Sequence, residues 1–302
     1  MAPSSYSDLD RPPLSARALT RALVVPGGLW SRLDVRTETG STNADAAEAA
    51  RQGAPEGLVV VAESQVAGRG RRDRQWVSPP RAGLTLSVLL RPGAADPERD
   101  WKPVPSGSLG WLPLLAGVAL RAAVARVAEV ETALKWPNDL LVGTAGSESK
   151  AGSESEGTAG GKGKCAGILA EVTGDAVVIG IGLNVSTRAE ELPETTGAPA
   201  TSLRVAGAEN TDRDPLLRAL LRGLDRWYGG WREAGGDAEM CGLLGEYQRH
   251  CATIGRTVRV LLPGGGELTG EAVTVDRDGQ LVIRTEDGAR HQVSAGDVLH
   301  VR

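Results

Sequence analysis

The pattern of apolar residues changes at about residue 254, and this change constrains the fold more than any other feature. Before it, valine- and leucine-rich runs typical of buried strands alternate with long helical patterns. After it, five short β runs follow in under 50 residues, separated by turn signals at 263–266, 278–279 and 287–288. The sequence therefore predicts an α+β domain over residues 31–254 and a small β-barrel over 255–302.

Apolar periodicity predicts the elements of the chain up to residue 254. The predicted strands lie at 35–39, 58–62, 84–90, 134–142 (broken by residues 136–139), 166–173 and 176–185, and the predicted helices at 15–23, 44–52, 110–130, 214–234 and 238–250. Residues 1–30 form an N-terminal extension that we expect to be partly disordered. Residues 143–163 are almost entirely Gly, Ser, Ala, Glu and Lys. Such a segment cannot bury enough apolar surface to offset its ordering entropy, so it is predicted to be a mobile loop between two strands.

The composition is that of an ordinary globular protein, with 41% hydrophobic and 24% charged residues. The net charge of −4 gives no overall field that attracts nucleic acid. Cys165, Cys241 and Cys251 form neither a paired spacing nor a zinc pattern, which favours a reducing compartment. We find no apolar run of membrane-spanning length and no signal peptide, and therefore expect a cytoplasmic protein.

The stretch Gly68–Trp76 (GRGRRDRQW) combines a permissive backbone with fixed positive charge. Glycine lets the backbone approach a ligand closely, and guanidinium groups offer planar donors suited to phosphate and carboxylate oxygens. The stretch follows a buried strand, where an α/β sheet delivers loops to a ligand crevice. Arginine-rich turns are also often solvated surface or RNA sites, so this stretch alone leaves both interpretations open.

Four further stretches place polar groups beside apolar or glycine-rich segments: Ser41–Asn43 (STN), Lys135–Asp139 (KWPND), Lys164–Glu171 (KCAGILAE) and Gly180–Val185 (GIGLNV). Each also has an ordinary structural interpretation: a helix N-cap, an edge strand with an ion pair, a surface lysine at a strand end, and close core packing. GIGLNV is not a Rossmann fingerprint, because the G-x-G-x-x-G spacing fails and no helix follows. No stretch identifies a function alone.

Together, these stretches resemble the motifs of the biotin protein ligase family, in the family's order, over roughly residues 35–255. GRGR and KWPND form a specific pair, because the related lipoate ligases share the fold but not these two motifs. The resemblance implies a mixed-sheet catalytic domain of the class II synthetase-like, biotin-lipoate ligase type, followed by an SH3-like barrel. Some members carry an N-terminal winged helix-turn-helix. Only 40 residues precede Ser41, so we expect a ligase without that DNA-binding domain.

The resemblance implies an ATP-dependent biotin–[biotin carboxyl-carrier protein] ligase. Such an enzyme makes biotinyl-5′-AMP from biotin and ATP, and a lysine of the carrier then displaces AMP. The expected substrates are ATP and biotin, and Mg²⁺ is expected because ATP is used. The expected partner is the biotin carboxyl carrier domain of an acyl-CoA carboxylase. We expect no DNA and no membrane as partners, and leave monomer and homodimer open.

The family pattern also implies roles for individual residues of this chain. Those expected to bind biotin are Ser41, Thr42, Asn43, Gln65, Arg69, Gly70, Arg71 and Lys164. Those expected to bind the nucleotide are Arg69, Arg71, Arg72, Trp76, Lys135, Asn138 and Asn184. Lys164, Arg71 and Asp139 are expected to be catalytic. Asp139 would either orient the incoming lysine or help to hold Mg²⁺.

Two features depart from the family pattern. Asp73 stands where the family usually has glycine, and it either weakens nucleotide affinity or pairs with a neighbouring arginine. The insert 143–163 lengthens a connection that is usually a tight turn. Other functions considered are lipoate or octanoate attachment, which the polar Ser41–Asn43 and Gln65 set disfavours, a non-catalytic biotin or nucleotide sensor, and RNA binding. Net acidity and the lack of interleaved aromatic residues disfavour RNA.

Overall fold

The computed structural model describes residues 10–72, 74–143, 162–195, 198–262, 265–294 and 296–300. Its helices are α1 (Ala16–Leu23), α2 (Thr42–Arg51), α3 (Trp111–Val127), α4 (Arg213–Glu233) and α5 (Leu243–His250). Its strands are β1 (Arg32–Arg36), β2 (Leu58–Ala62), β3 (Gly83–Leu90), β4 (Thr132–Lys135), β5 (Asp139–Gly143), β6 (Lys162–Thr173), β7 (Ala176–Asn184), β8 (Thr257–Leu261), β9 (Glu267–Val275), β10 (Leu281–Arg284), β11 (Arg290–Val293) and β12 (Asp297–His300).

Seven strands form one mixed sheet in the order β1-β2-β3-β7-β6-β5-β4. β1 and β2 are parallel and are connected through α2, while the other neighbours are antiparallel. The second sheet is antiparallel, in the order β11-β10-β9-β8-β12. The predicted fold class, a mixed-sheet domain followed by a small β domain, is confirmed. The predicted division at residues 254 and 255 falls between α5 and β8 and stays a prediction.

The two faces of the large sheet are covered differently. Strand residues alternate between faces, and Leu86 and Ile181 point to the face on which α3 and α4 pack. On the opposite face, α2 covers only one end of the sheet, with a small apolar cluster that includes Ala46, Leu89 and Val178. The other end of that face borders a cavity.

The second sheet shares its core with the large domain. Val258 of β8 belongs to the same buried cluster as the side chains of α3 and α4. Two indoles also connect the large domain to the second sheet. Trp111 Nε1 donates to the Arg277 carbonyl at 2.6 Å, and Trp136 Nε1 donates to the Gly279 carbonyl at 3.0 Å. Buried indole N–H groups need such partners, so these bonds fix how the second sheet sits on the first.

The predicted strand at 134–142, broken by residues 136–139, is a hairpin of two strands. β4 and β5 pair antiparallel with Lys135 opposite Asp139, and the residues between them form the turn. The peptide bond before Pro137 is cis. Because the proline lies in the turn, it removes no hydrogen bond from the strand ladder.

Two further element predictions need correction. The helix expected at 238–250 begins only at Leu243, because Gly242 has a φ of +78° and so interrupts a helical path. The first strand lies at Arg32–Arg36 instead of 35–39, since these five residues pair in register with β2. Of the predicted mobile insert, residues 144–161 lie outside the described residues, as do residues 1–9 of the N-terminal extension.

One helical stretch, predicted as a helix at 110–130, is as long and apolar as a membrane span. Ser106–Val127 spans 22 residues, and its most apolar window has a mean hydropathy of 1.5, enough by length and composition to cross a membrane. The expectation that no run reaches this length is therefore wrong. The stretch packs against α4, α5 and the large sheet, and 61% of that window is buried inside the protein. A helix that is apolar on all sides and enclosed in this way belongs to the core.

A buried ion pair ties the N-terminal segment to the sheet. Arg213 Nη1 lies 2.6 Å from Glu63 Oε2, and the two side chains are only 5% and 6% exposed. Glu63 Oε1 also accepts from the Leu14 N–H at 2.6 Å, and Arg213 Nη2 donates to the Pro12 carbonyl at 2.6 Å. These hydrogen bonds offset part of the cost of removing both charges from water.

Replacing Arg213 with methionine should lower the free energy of unfolding by about 3–5 kcal/mol, because Glu63 would remain buried without its cation. The matched control is Arg218→Met on the same helix, whose ion pair with Asp214 is partly exposed and should contribute about 0.5 kcal/mol. Urea unfolding followed by circular dichroism measures both. Equal losses in the two variants would show that burial of the Glu63 pair is not what stabilises this region.

His300 connects the last strand to the β4–β5 turn. The Trp136 N–H donates to Thr253 Oγ1 at 3.1 Å, and Thr253 Oγ1 lies 3.3 Å from His300 Nε2. Burial, with Lys135 and Arg256 nearby, lowers the pKa of His300 to about 4. The ring is therefore neutral at pH 7, and its Nε2 can accept from the threonine hydroxyl.

The lowered pKa of His300 should make stability depend on pH. An unfolded imidazole titrates near about 6.5, so the unfolded state binds more protons than the folded state between that pH and about 4. The stabilising contribution is fully present above this window and is lost as the pH falls through it. Between pH 7 and pH 5 the wild type should lose about 1 kcal/mol more than His300→Gln, allowing for solvent screening. If the urea midpoint shifts by the same amount in both proteins between pH 7 and pH 5, this assignment is wrong.

Candidate active site

A cavity of about 670 Å³ opens on the uncovered end of the large sheet. Its walls come from the loop after β2, the β4–β5 turn, β6, β7 and the segment after Leu192, and the second sheet closes one side. The sequence-predicted residues that line it are Ser41, Thr42, Asn43, Gln65, Arg69, Gly70, Arg71, Trp76, Lys135, Asn138, Asp139, Lys164 and Asn184. The fold thus gathers motifs that are far apart in the sequence around one space.

The floor of the cavity is built from strand residues with little or no side chain. In the GIGLN stretch of β7, Gly180, Gly182 and Asn184 face the cavity, and the isoleucine and leucine between them belong to the core on the other face. Gly182 pairs with Thr85 of β3 on one side and with Gly167 of β6 on the other. Thr85, Gly182 and Gly167 therefore lie side by side on β3, β7 and β6, and together they form a flat part of the cavity floor.

The indole of Trp76 lies against two of these glycines. A methyl group added at Gly182 would lie 2.3 Å from Trp76 Cε2, and one added at Gly167 would lie 3.3 Å from Trp76 Cζ3. The first distance is far below a carbon–carbon contact, so only glycine at 182 leaves room for the ring. Close packing was predicted for this stretch, and the structure identifies the packed group as Trp76.

The GRGR loop is a hairpin rooted beside this floor. Arg69 and Gln75 are bridged as in an antiparallel ladder, and the Trp76 N–H donates to the Gly68 carbonyl at 3.0 Å. A side chain at Gly68 would lie 2.2 Å from the Trp76 carbonyl oxygen, so this glycine is required by close approach. Asp73, the departure from the family pattern, lies outside the described residues.

Two arginines of the loop point to different places. Arg71 lines the cavity, and its Nη1 donates to Asn138 Oδ1 at 3.2 Å and to the Gly296 carbonyl at 3.3 Å. Arg72 has a φ of +54° and is outside the lining, and its Nη2 donates to the Leu262 carbonyl at 3.2 Å. The Arg72 side chain therefore reaches the second sheet, and its expected nucleotide contact stays a prediction.

Lys164 and Asp139 form an ion pair on the cavity wall. Lys164 Nζ lies 2.7 Å from Asp139 Oδ1, and the side chains are 28% and 14% exposed. Antiparallel pairing of β5 with β6, including a register shift after Leu140, brings the two residues together. An ammonium and a carboxylate thus face the same cavity as Arg71.

The end of the cavity at α2 is polar and uncharged. Gln65 Oε1 accepts from the Thr42 N–H at 2.8 Å and lies 3.1 Å from Thr42 Oγ1. Gln65 therefore caps the first turn of α2, whereas the Ser41 side chain makes no capping hydrogen bond. The N-cap interpretation of Ser41 holds for its backbone but not for its hydroxyl, which lines the cavity.

Sequence reasoning missed the contribution of the second sheet. Arg259, Leu261, Val298 and Leu299 of β8 and β12 line the cavity. The contact between Arg71 and the Gly296 carbonyl joins residues 225 positions apart. No local spacing signals such a contact, because it depends on how two sheets pack.

The cavity has one polar, uncharged end and one cationic end. Such a lining suits a ligand with a hydrogen-bonding head and an anionic tail. Within the described ranges, no group of three His, Cys, Asp or Glu side chains could hold a metal ion. Asp139 Oδ1 already lies beside an ammonium. A metal at this carboxylate would therefore need additional ligands from a substrate.

Comparison with known families gives two matches that follow the two parts of the fold. Residues 36–184 match the Biotin/lipoate A/B protein ligase family. Residues 253–301 match the Biotin protein ligase C terminal domain. The first match spans all the motifs of the cavity up to Asn184, and the second spans the strands that close it.

Individual proteins agree with these matches. The chain is 41% identical over 296 residues to the Biotin–[acetyl-CoA-carboxylase] ligase of Mycobacterium tuberculosis, covering 97% of each chain. It is 32% identical over 260 residues to the Bifunctional ligase/repressor BirA of Bacillus subtilis, covering 84% of this chain and 70% of that protein. The biotin protein ligase of Aquifex aeolicus in complex with biotin and ATP superposes with a TM-score of 0.68 at 27% identity, covering 90% of this chain and 100% of that one. The chain therefore belongs to the biotin protein ligase family.

Proposed function

We propose that this chain attaches biotin to a lysine of the biotin carboxyl carrier domain of an acyl-CoA carboxylase, using ATP and passing through biotinyl-5′-AMP. The Mycobacterium relative is named for acetyl-CoA carboxylase, and the Aquifex structure contains biotin and ATP. One observation carries the proposal. Arg71 and Lys164 face one cavity whose other end is lined by the Ser41, Thr42 and Gln65 side chains.

In the first half-reaction, a carboxylate oxygen of biotin attacks the α-phosphorus of ATP and pyrophosphate leaves. Negative charge builds on the phosphate oxygens, so cations held in place give the main stabilisation. Lys164, oriented by Asp139, and Arg71, oriented by Asn138, would supply them. No protein nucleophile is required, because the substrate carboxylate itself forms the new bond.

The polar end of the cavity would hold the ureido ring of biotin. Because Gln65 Oε1 caps α2, the Nε2 of the same amide is the group that can donate to a ligand carbonyl. The hydroxyl of Ser41 can donate or accept, as the N–H and C=O groups of a urea require. This set suits a small polar bicycle better than the long apolar chain of lipoate or octanoate.

Mg²⁺ would enter with the phosphates of ATP. It is usually held by one or two carboxylates together with substrate phosphates and water, and it neutralises charge between phosphate oxygens. Asp139 is the carboxylate of the cavity nearest to Lys164 and could supply one such ligand through the oxygen that does not face the ammonium. In the second half-reaction the same carboxylate could orient the incoming carrier lysine.

Removing either cation should slow adenylate formation. Lys164→Ala and Arg71→Ala should each lower the rate of pyrophosphate release with biotin and ATP by about 10²–10³, as for the loss of one preorganised donor. Lys102→Ala, an exposed lysine on the surface, is the control and should retain the wild-type rate. Near-normal rates in both cavity variants would remove these residues from the mechanism.

Displacing the indole should impair catalysis without removing any charge. Gly182→Ala places a methyl group within 2.3 Å of Trp76 and should lower kcat/KM for ATP by roughly ten-fold, about 1.4 kcal/mol. Gly93→Ala is the control, because a methyl group there meets nothing within 4 Å. Full activity of the Gly182 variant would show that the position of Trp76 is unimportant for the nucleotide.

The decisive test of function is to incubate the protein with biotin, Mg-ATP and a biotin carboxyl carrier domain, and to weigh the carrier by mass spectrometry. A mass increase equal to one biotin less one water supports the proposal. Calorimetric binding of biotin without any mass increase would instead identify a non-catalytic sensor. Modification by lipoate or octanoate in place of biotin would assign the related attachment activity.

A further inference from the structure

One carboxylate outside the cavity lining contacts residues at two different parts of the site. Glu171 lies on β6, and its side chain is 33% exposed. Its Oε2 accepts from Asn43 Nδ2 at 2.7 Å, and its Oε1 lies 3.4 Å from Arg69 Nη1. The two oxygens therefore serve two elements, namely the first turn of α2 and the root of the GRGR loop.

The first contact fixes the orientation of the Asn43 amide. The Ser87 hydroxyl donates to Asn43 Oδ1 at 2.6 Å, and Glu171, which as a carboxylate can only accept, requires Nδ2 on the opposite side. Asn43 is 4% exposed, and a methyl group at Gly180 would lie 2.0 Å from its Oδ1. Both the oxygen and the nitrogen of the Asn43 amide thus have hydrogen-bond partners within the protein. Asn43 therefore acts on a ligand indirectly, by fixing the position of its neighbour Thr42.

The second contact is weaker and more exposed. Arg69 is 57% exposed, and its 3.4 Å separation from Glu171 is at the long end of hydrogen bonding. An exposed ion pair contributes little stability. It does, however, favour one direction of the Arg69 side chain, at the position where Gln75 closes the hairpin of the loop.

We propose that Glu171 is a positioning residue that couples the biotin end of the cavity to the GRGR loop, an inference that rests on the proposed function for the identity of the ligand. One oxygen holds Asn43 and, through it, the residues at the start of α2. The other oxygen holds Arg69 and, through it, the loop that carries Arg71. A single side chain thereby prepares both binding regions before substrates arrive.

The polarity of the Asn43 contact can be reversed without changing shape or total charge. Glu171→Gln keeps one oxygen for Asn43 but turns its amide NH₂ toward Arg69, which is also a donor. Asn43→Asp places two carboxylates within hydrogen-bond distance, where like charges repel. In the double variant Asn43→Asp/Glu171→Gln, the new amide donates to the new carboxylate, and its oxygen again faces Arg69.

The readouts are calorimetric affinity for biotin and the rate at which trypsin cuts the ligand-free protein at Arg69–Arg74. Glu171→Gln should bind biotin within about three-fold of wild type but be cut roughly two- to three-fold faster, because only the exposed pair is lost. Asn43→Asp should bind biotin roughly ten-fold more weakly. The double variant should recover biotin affinity to within about three-fold of wild type, a non-additivity expected of residues in contact, and trypsin should cut it more slowly than Glu171→Gln.

Glu48→Gln is the matched control, since Glu48 lies on α2 and forms an exposed ion pair with Arg51. It should match wild type in both measurements. A double variant that binds biotin no better than Asn43→Asp, or trypsin cutting of Glu171→Gln at the wild-type rate, would overturn the coupling. Circular dichroism melting confirms that each variant is folded, and recovery in the double variant excludes a general folding defect.

The two proposals fail in distinguishable ways. If the wild type binds biotin but never modifies a carrier domain, the proposed ligase activity is refuted, while the trypsin and biotin comparisons still judge the role of Glu171. If the wild type modifies the carrier and the double variant does not recover, the ligase activity stands and the coupling through Glu171 is wrong.

Discussion

Close contact between side chains and the glycine backbone of β7 is the constraint from which the site is assembled. Gly180 leaves room for Asn43 at the start of α2, and Gly182 leaves room for Trp76 at the end of the GRGR loop. Both strands beside β7 are hydrogen-bonded to it, so these glycines do not act through flexibility. Without side chains, they form a flat surface against which the start of α2 and the end of the GRGR loop pack. The residues between them fill the core on the other face.

The cations of the cavity are held by acceptors of different strength. Arg71 is held by a neutral amide and a backbone carbonyl, Lys164 by a carboxylate at 2.7 Å, and Arg69 by a carboxylate at 3.4 Å. A neutral acceptor orients a guanidinium without cancelling its charge. Asn138 and the Gly296 carbonyl therefore orient the Arg71 guanidinium toward the cavity without adding negative charge to the site.

Apolar runs and turn chemistry were sufficient to predict most strands, because β2, β3 and β7 are buried along their whole length and many turns carry glycine, whereas the mixed-sheet type came from the family resemblance. They did not show that the broken segment at 134–142 folds back as two paired strands, because a break in an apolar run does not give the pairing across it. They also failed where a distant side chain replaced a local one, since Gln65 and not Ser41 caps α2. The direction of the Arg72 side chain depends on the positive φ of this residue at the loop tip. Sequence patterns indicate a positive φ mainly at glycine, so they do not predict this conformation at an arginine.

The second sheet is more than an appendage, because it contacts two of the elements that bring cations to the cavity. The Gly296 carbonyl accepts from Arg71 of the GRGR loop, and the Gly279 carbonyl accepts from Trp136 of the β4–β5 turn. That turn carries Asn138, which also accepts a hydrogen bond from Arg71. Loop, turn and second sheet therefore form a closed set of contacts, in which the position of Arg71 depends on all three. A sequence motif can specify the arginine, but only the packing of two sheets can specify where its charge lies.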